Sequence, residues 1–126
     1  MANSIYALYM ISHSGANLLP ITRLYLVRHG ETLANREYRY IGTRDDALST
    51  PGQTQAIQLA EALSVLPVAA VYSSPLQRTY NTALPIAARH SLEVQRVDDL
   101  RECDFGRWEG LSRTEVLERS PEDSQR

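Results

Sequence analysis

The run Leu24-Tyr25-Leu26-Val27-Arg28-His29-Gly30-Glu31-Thr32 delivers an arginine and a histidine from an apolar, β-prone stretch into a glycine turn. Arg28 carries a fixed charge on a forked donor that suits phosphate or carboxylate. His29 carries a ring nitrogen that titrates near neutral pH. Gly30 allows backbone N–H groups to approach a ligand with no Cβ in the way. Downstream, Ser74-Pro75 reads as cap and first residue of a helix with Arg78 in its first turn. The helix dipole does not favour a cation there, whereas the N-terminus attracts anions. Arg78 and that N-terminus together make a pocket for a phosphoryl group. Glu102 supplies a carboxylate able to give and take a proton.

Other chemistries fit less well. Cys103 is the only cysteine, so no intrachain disulfide forms and a reducing cytoplasm is expected. A cysteine phosphate loop wants an arginine six positions on, and Glu109 stands there instead. Asp98-Asp99 lacks the His or Cys partners that would complete a metal site, so neither metal nor cofactor is expected. Asn35-Arg36-Glu37-Tyr38-Arg39-Tyr40 interleaves arginine with tyrosine, a pattern that can stack on a base. With a net charge of −2 the better reading is a solvated loop at the mouth of a site. Nucleic acid and membrane are therefore not expected partners, and no apolar run approaches bilayer-spanning length. All 13 basic residues are arginine, which reads as genome bias before function.

At 126 residues the chain is at most one domain, and its 43% hydrophobic share allows a modest core. Residues 1–20 have no clear period and are expected to form a loosely ordered extension, with Met10 as an alternative start and His13 as an incidental surface histidine. The first strand is expected over Thr22–Arg28, followed by a long loop over 32–49. Thr50-Pro51-Gly52-Gln53 reads as a capping box, and its helix ends at Pro67. Val68–Ser73 reads as a strand buried on both faces. The Ser74-Pro75 helix contains Pro85, a possible kink, and ends at His90. Leu92–Val97 alternates as a third strand. Ser112 to Glu115 is a second capping box, and 120–126 is a polar end. Strand, helix, strand, helix, strand argues for a three-layer α/β/α fold with a mostly parallel sheet. Right-handed crossovers place all strand C-termini on one edge. Arg28, His29, Arg78 and Glu102 each follow a strand, so all four gather there.

Arg28-His29-Gly30-Glu31-Thr32 after a strand resembles the signature of the histidine phosphatase superfamily, also called phosphoglycerate mutase-like. The resemblance extends to Ser73-Ser74-Pro75-Leu76-Gln77-Arg78-Thr79 and to Leu100-Arg101-Glu102 with Phe105-Gly106-Arg107-Trp108-Glu109-Gly110. The last of these is similar to the acid/base segment of the small-molecule phosphatase branch, which favours phosphatase over mutase. The resemblance implies that His29 is a nucleophile that becomes phosphorylated, that Arg78 clamps the phosphoryl group and that Asn35 contacts it. It implies Glu102 as acid and then base. Gly42 and Asp45 are similar to the loop before the first helix of that family. The implied partner is a small phosphorylated substrate, with no cofactor.

The resemblance covers about 22–120, so 21–126 is expected to be the N-terminal part of such a domain, incomplete at the C-terminus. Family members go on to a second catalytic histidine, which His13 and His90 do not match by motif. Three readings stand: a working phosphatase without that histidine, a truncated product with little activity, and a phosphate-binding or interaction module. A missing strand would expose a sheet edge, through which two copies could pair as a homodimer.

Overall fold

The computed structural model describes residues 9–13 and 22–119. Along them run β1 (Tyr9–His13), β2 (Thr22–Leu24), α1 (Leu33–Arg36), α2 (Thr50–Leu63), β3 (Ala70–Ser73), α3 (Gln77–Arg89), β4 (Val94–Arg96) and α4 (Arg113–Arg119). Single 3-10 turns form at Asp98–Leu100 and Gly106–Trp108. No described helix is long and apolar enough to cross a membrane.

The sheet order is β2-β1-β3-β4. β1 lies antiparallel to both of its neighbours, and β3 pairs with β4 in parallel. Two reversals cancel, so β2, β3 and β4 all run in the same direction. Ile11 stands opposite both Leu24 and Ala70, which sets those two residues at one level. Ser73 pairs with Arg96 in turn, and the Val97 N–H donates to the Ser73 carbonyl at 2.9 Å. The chain therefore leaves β2, β3 and β4 toward one shared edge, as the α/β pattern requires.

β1 corrects the expectation of a loosely ordered extension for Tyr9–His13, which includes Met10 and His13. Their side chains, residues 1–8 and 14–21, and the polar end 120–126 lie outside the described residues. The first strand is also shorter than expected, since its ladder stops at Leu24. Beyond it the burial still alternates: Tyr25 and Val27 pack against the core, Leu26 and Arg28 are exposed, and His29 turns inward. The extended period that sequence reading used continues there, without a ladder partner among the described residues.

The core is small and dense. Ala60 of α2, Val71 of β3 and Ala83, Ile86 and Ala87 of α3 are buried together, bordered by Tyr25, Val27, Leu59, Leu63, Val68, Leu92 and Val94. Alanines at Ala56, Ala60 and Ala83 let α2 and α3 approach closely. α3 also packs on β3 and β4. Among the described residues, two of the three expected layers are visible. β3 alternates between buried and half-buried side chains rather than being buried on both faces.

Helix ends differ from expectation by one to three residues. Ser49, not Thr50, caps α2: its hydroxyl accepts from the Gly52 N–H at 3.2 Å, and Thr50-Pro51 form the first turn. That helix ends at Leu63, before Pro67. α3 begins at Gln77 rather than Pro75, and it runs through Pro85 without a break. The Asn81 carbonyl that Pro85 cannot serve belongs to an exposed residue. At α4 the expected capping box forms, with Ser112 N–H to Glu115 at 2.7 Å and Glu115 N–H to the Ser112 hydroxyl at 3.2 Å.

Candidate active site

His29 enters the site from the alternating segment 25–29 and is 8% exposed. Its Nδ1–H donates to the Gly30 carbonyl at 2.6 Å, a tautomer inferred from that acceptor. The lone pair then resides on Nε2. Burial is the main cause that lowers the imidazole to about 4. The Gly30 carbonyl opposes the shift, and the charges of Arg78 and Arg28 add to it. His29 is thus neutral at physiological pH, with two guanidinium groups close enough to act on it through space.

Gly30 plays a different part from the expected one. Its N–H donates to the Thr82 hydroxyl of α3 at 3.0 Å rather than toward a ligand. A Cβ on Gly30 would overlap the carbonyl oxygen of Gly52, so the glycine allows the first turn of α2 to cross the turn at His29. Glu31 completes the attachment. Its N–H donates to Gln55 at 2.9 Å, and its carboxylate accepts from the Ser49 hydroxyl at 2.7 Å and from Arg36 at 2.8 Å.

Arg78 has no exposed surface. Its two terminal nitrogens donate to the Arg44 and Gly42 carbonyls, each at 2.7 Å. Burial pulls the guanidinium below its ordinary value, opposed by Asp46, Asp45 and Glu109. The loop 42–46 therefore orients the planar group. The N-terminus of α3 is not left for an anion: Asp45 accepts from the Gln77 N–H at 2.6 Å and from the Gln77 side chain at 3.3 Å. Ser74, the expected cap, instead pairs with the Thr79 hydroxyl at 2.6 Å. Asp45 comes from 32 residues upstream, a tertiary cap that no local pattern reveals.

Asn35 lies in α1, where its Oδ1 accepts from the Thr32 N–H and hydroxyl, both at 3.0 Å. It closes a capping box with Thr32, two residues past the Gly30 turn. Glu102 follows the 3-10 turn after β4. Its Oε1 accepts from the Cys103 N–H at 2.9 Å, and its Oε2 is buried with no hydrogen-bond partner. The Cys103 thiol is raised, chiefly by its hydrogen bond to Glu102, with burial adding. The Cys103 carbonyl packs on Gly42, whose own carbonyl holds Arg78. So Glu102 reaches the arginine through two backbone contacts, while the charges of Arg28 and Arg78 act on His29 through space.

Glu109, read above as a misfit to a cysteine loop and as part of the segment that carries the resemblance, staples this assembly. Its carboxylate accepts from the N–H groups of Gly42 at 2.9 Å, Thr43 at 3.1 Å and Phe105 at 3.2 Å. The loop arginines are engaged in ion pairs, Arg36 with Glu31 and Arg39 with Glu37 and Glu115. Tyr40 packs on Phe105 and Trp108, with ring centres 5.5 and 5.7 Å away. A cleft of about 520 Å³ opens between Leu33, Arg39, Arg44, Asp46, Leu48 and Gly110. None of the expected site residues lines it. His90 caps α3 and contacts the Leu63 carbonyl at 3.2 Å, the ordinary role expected of it.

Comparison with known proteins identifies the family. The family model described as histidine phosphatase superfamily (branch 1) matches residues 24–126. The chain is 46% identical over 106 residues to a protein named phosphoserine phosphatase 1 from Hydrogenobacter thermophilus, covering 84% of this chain and 50% of that one. It is 43% identical over 105 residues to a metal-independent phosphoserine phosphatase of Arabidopsis thaliana, covering 81% and 44%. A solved mycobacterial glucosyl-3-phosphoglycerate phosphatase complexed with VO3 superposes with a TM-score of 0.71 at 36% identity, covering 74% of this chain and 44% of that one. The chain spans about half the length of the curated relatives it matches.

Proposed function

The chain belongs to the histidine phosphatase superfamily, and from that membership we propose a phosphomonoesterase that hydrolyses a small phosphorylated metabolite through a phosphohistidine. One observation carries the proposal. The Nδ1–H bond to Gly30 and the burial of the ring keep His29 neutral, with its lone pair on Nε2 and the charges of Arg28 and Arg78 acting on it. A neutral imidazole is nucleophilic, and two cations offset charge on the phosphoryl oxygens. The relatives' names, phosphoserine phosphatase and glucosyl-3-phosphoglycerate phosphatase, support a small metabolite as substrate.

The steps balance as follows. Nε2 of His29 attacks phosphorus in line, the bond to the leaving oxygen breaks, and protonated Glu102 gives that oxygen its proton. Glu102 then takes a proton from water, the water oxygen attacks phosphorus, and the N–P bond breaks. Inorganic phosphate leaves and His29 is neutral again. Arg28 and Asn35 hold the phosphoryl group during both steps, and the buried Arg78 offsets its charge through space. The Oε2 of Glu102, which makes no hydrogen bond among the described residues, supports its role by being open to a leaving-group oxygen.

Phosphate release from para-nitrophenyl phosphate by the purified chain, beside His29→Ala, tests this reading. Turnover that vanishes in the variant supports it. A folded chain that binds phosphate without turnover supports a second reading, a phosphoester-binding module. One observation favours that alternative: His90, the other histidine with a described side chain, lies at the far end of α3, about 18 Å of helix from Arg78. A cytoplasmic setting fits the single free thiol. Pairing of two copies along an open edge is supported by β2, an edge strand whose Thr22, Arg23 and Leu24 are all exposed. A monomer mass by light scattering would contradict the pairing.

A further inference from the structure

One chain of hydrogen bonds joins the candidate nucleophile to α3 through a residue that the chemistry above does not use. The His29 Nδ1–H donates to the Gly30 carbonyl at 2.6 Å, and the Gly30 N–H donates to the Thr82 hydroxyl at 3.0 Å. The Thr82 hydroxyl donates to the Arg78 carbonyl at 2.7 Å. Thr82 is one helical turn beyond Arg78, so both occupy the same face of α3. It is 3% exposed. We propose that Thr82 is a positioning residue that fixes the peptide between His29 and Gly30, and with it the orientation of the His29 ring, relative to Arg78.

The argument is one of donors and acceptors. A threonine inside a helix commonly donates to the carbonyl four residues back. That bond uses its only hydrogen, so its lone pairs must face an incoming donor. Here the donor is a backbone N–H from 52 residues earlier in the chain. Valine keeps the shape and loses both functions, whereas serine keeps both. The opposite side of the turn is closed by Gly52, so the turn cannot compensate by sliding across α2 without leaving its contact. If the peptide rotates, the Gly30 carbonyl that selects the Nδ1–H tautomer turns with the following residue. The lone pair on Nε2 is then no longer guaranteed. The charge that the Arg78 side chain offers a phosphoryl group does not depend on this bond, because Thr82 engages only the main chain of Arg78.

The inference rests on His29 being the nucleophile, and two readouts separate its failure from failure of that reading. In steady-state hydrolysis of para-nitrophenyl phosphate, Thr82→Val should lower kcat by at least about tenfold with KM little changed. Thr82→Ser should restore most of the loss. In long-range proton–nitrogen spectra of the same proteins, wild type and Thr82→Ser should show His29 as the Nδ1–H tautomer, and Thr82→Val a mixture. The spectra need no turnover, so they decide the role of Thr82 even where the chain hydrolyses nothing. Thr82→Ala replaces Thr82→Val if the valine variant fails to fold. A folded hydroxyl-less variant with unchanged kcat and an unchanged tautomer would overturn the proposal. So would a loss that serine does not restore, or one confined to KM.

Discussion

The turn at His29 and the segment from Glu102 to Glu109 carry the two halves of the proposed chemistry, and they are built differently. His29, Gly30 and Thr32 are buried, and the turn is tied to α2 and α3 by the bonds of Glu31 to Ser49 and Gln55 and of Gly30 to Thr82. By contrast Cys103, Asp104, Gly106 and Arg107 are exposed, and the segment is held chiefly by the Glu109 carboxylate and the packing of Phe105 and Trp108 on Tyr40. The difference follows the work assigned to each. A nucleophile must be desolvated and aimed along one line, which packing between two helices provides. The proposed proton donor Glu102 is half-buried, on a segment whose neighbours Cys103 and Asp104 are exposed to water. Only one oxygen of Glu102 needs fixing, and the Cys103 N–H fixes it.

The largest effect should come from removing the proton on the loop side. Glu102→Gln is expected to lower turnover by about 10²–10⁴-fold for esters with poor leaving groups, and much less for para-nitrophenyl phosphate. Equal losses across a leaving-group series would break the division of labour between the two regions.

Two glycine substitutions sharpen the same contrast. Gly30→Ala forces a methyl into the Gly52 carbonyl, so it should cost about 3 kcal/mol or more in denaturant unfolding. Gly106 has φ +55° and open space around its missing Cβ, so Gly106→Ala should cost about 1 kcal/mol, from backbone strain alone. Equal costs would mean that the turn at His29 is no more tightly packed than the loop.

Acid provides a related test. His29 falls to about 4 in the folded chain, below its ordinary 6.5. Between those values the unfolded chain binds a proton that the folded chain does not. Stability from this group is therefore complete above about pH 6.5 and is lost as pH falls toward 4, by roughly 3 kcal/mol at most. His29→Gln should flatten that slope. The acid limb of kcat/KM should likewise fall near 4 rather than near 6.5, provided His29 must be neutral to react. A limb near 6.5 would place His29 in water.

Much of the candidate site could be proposed from sequence because its signals are local. An apolar run ending in Arg28-His29-Gly30 identifies the turn, and a cation where a helix dipole disfavours it identifies Arg78. The box from Ser112 to Glu115 formed as read. The shared direction of β2, β3 and β4 also followed from alternation of strands and helices. What escaped was tertiary. β1 inserts between β2 and β3 from a stretch with no period, so its place comes from partners rather than pattern. Asp45 caps α3 from a distant loop, and the local candidate Ser74 was taken instead. Ser49 and Thr50 are both good caps, and nothing local decides between them. Thr82 did leave a signal: it is a small polar residue at i+4 from Arg78, among Ala83, Ile86 and Ala87 on the buried face of α3.

The central claim is a covalent one, that His29 Nε2 takes the phosphoryl group. The direct measurement is rapid quenching of the chain in alkali during turnover of a phosphoester, followed by mass spectrometry of its peptides. The account predicts one added phosphoryl group, stable to base and labile to acid, on the peptide containing His29, and none in His29→Ala. Steady turnover with no label on His29, or with the label on another side chain, would contradict it.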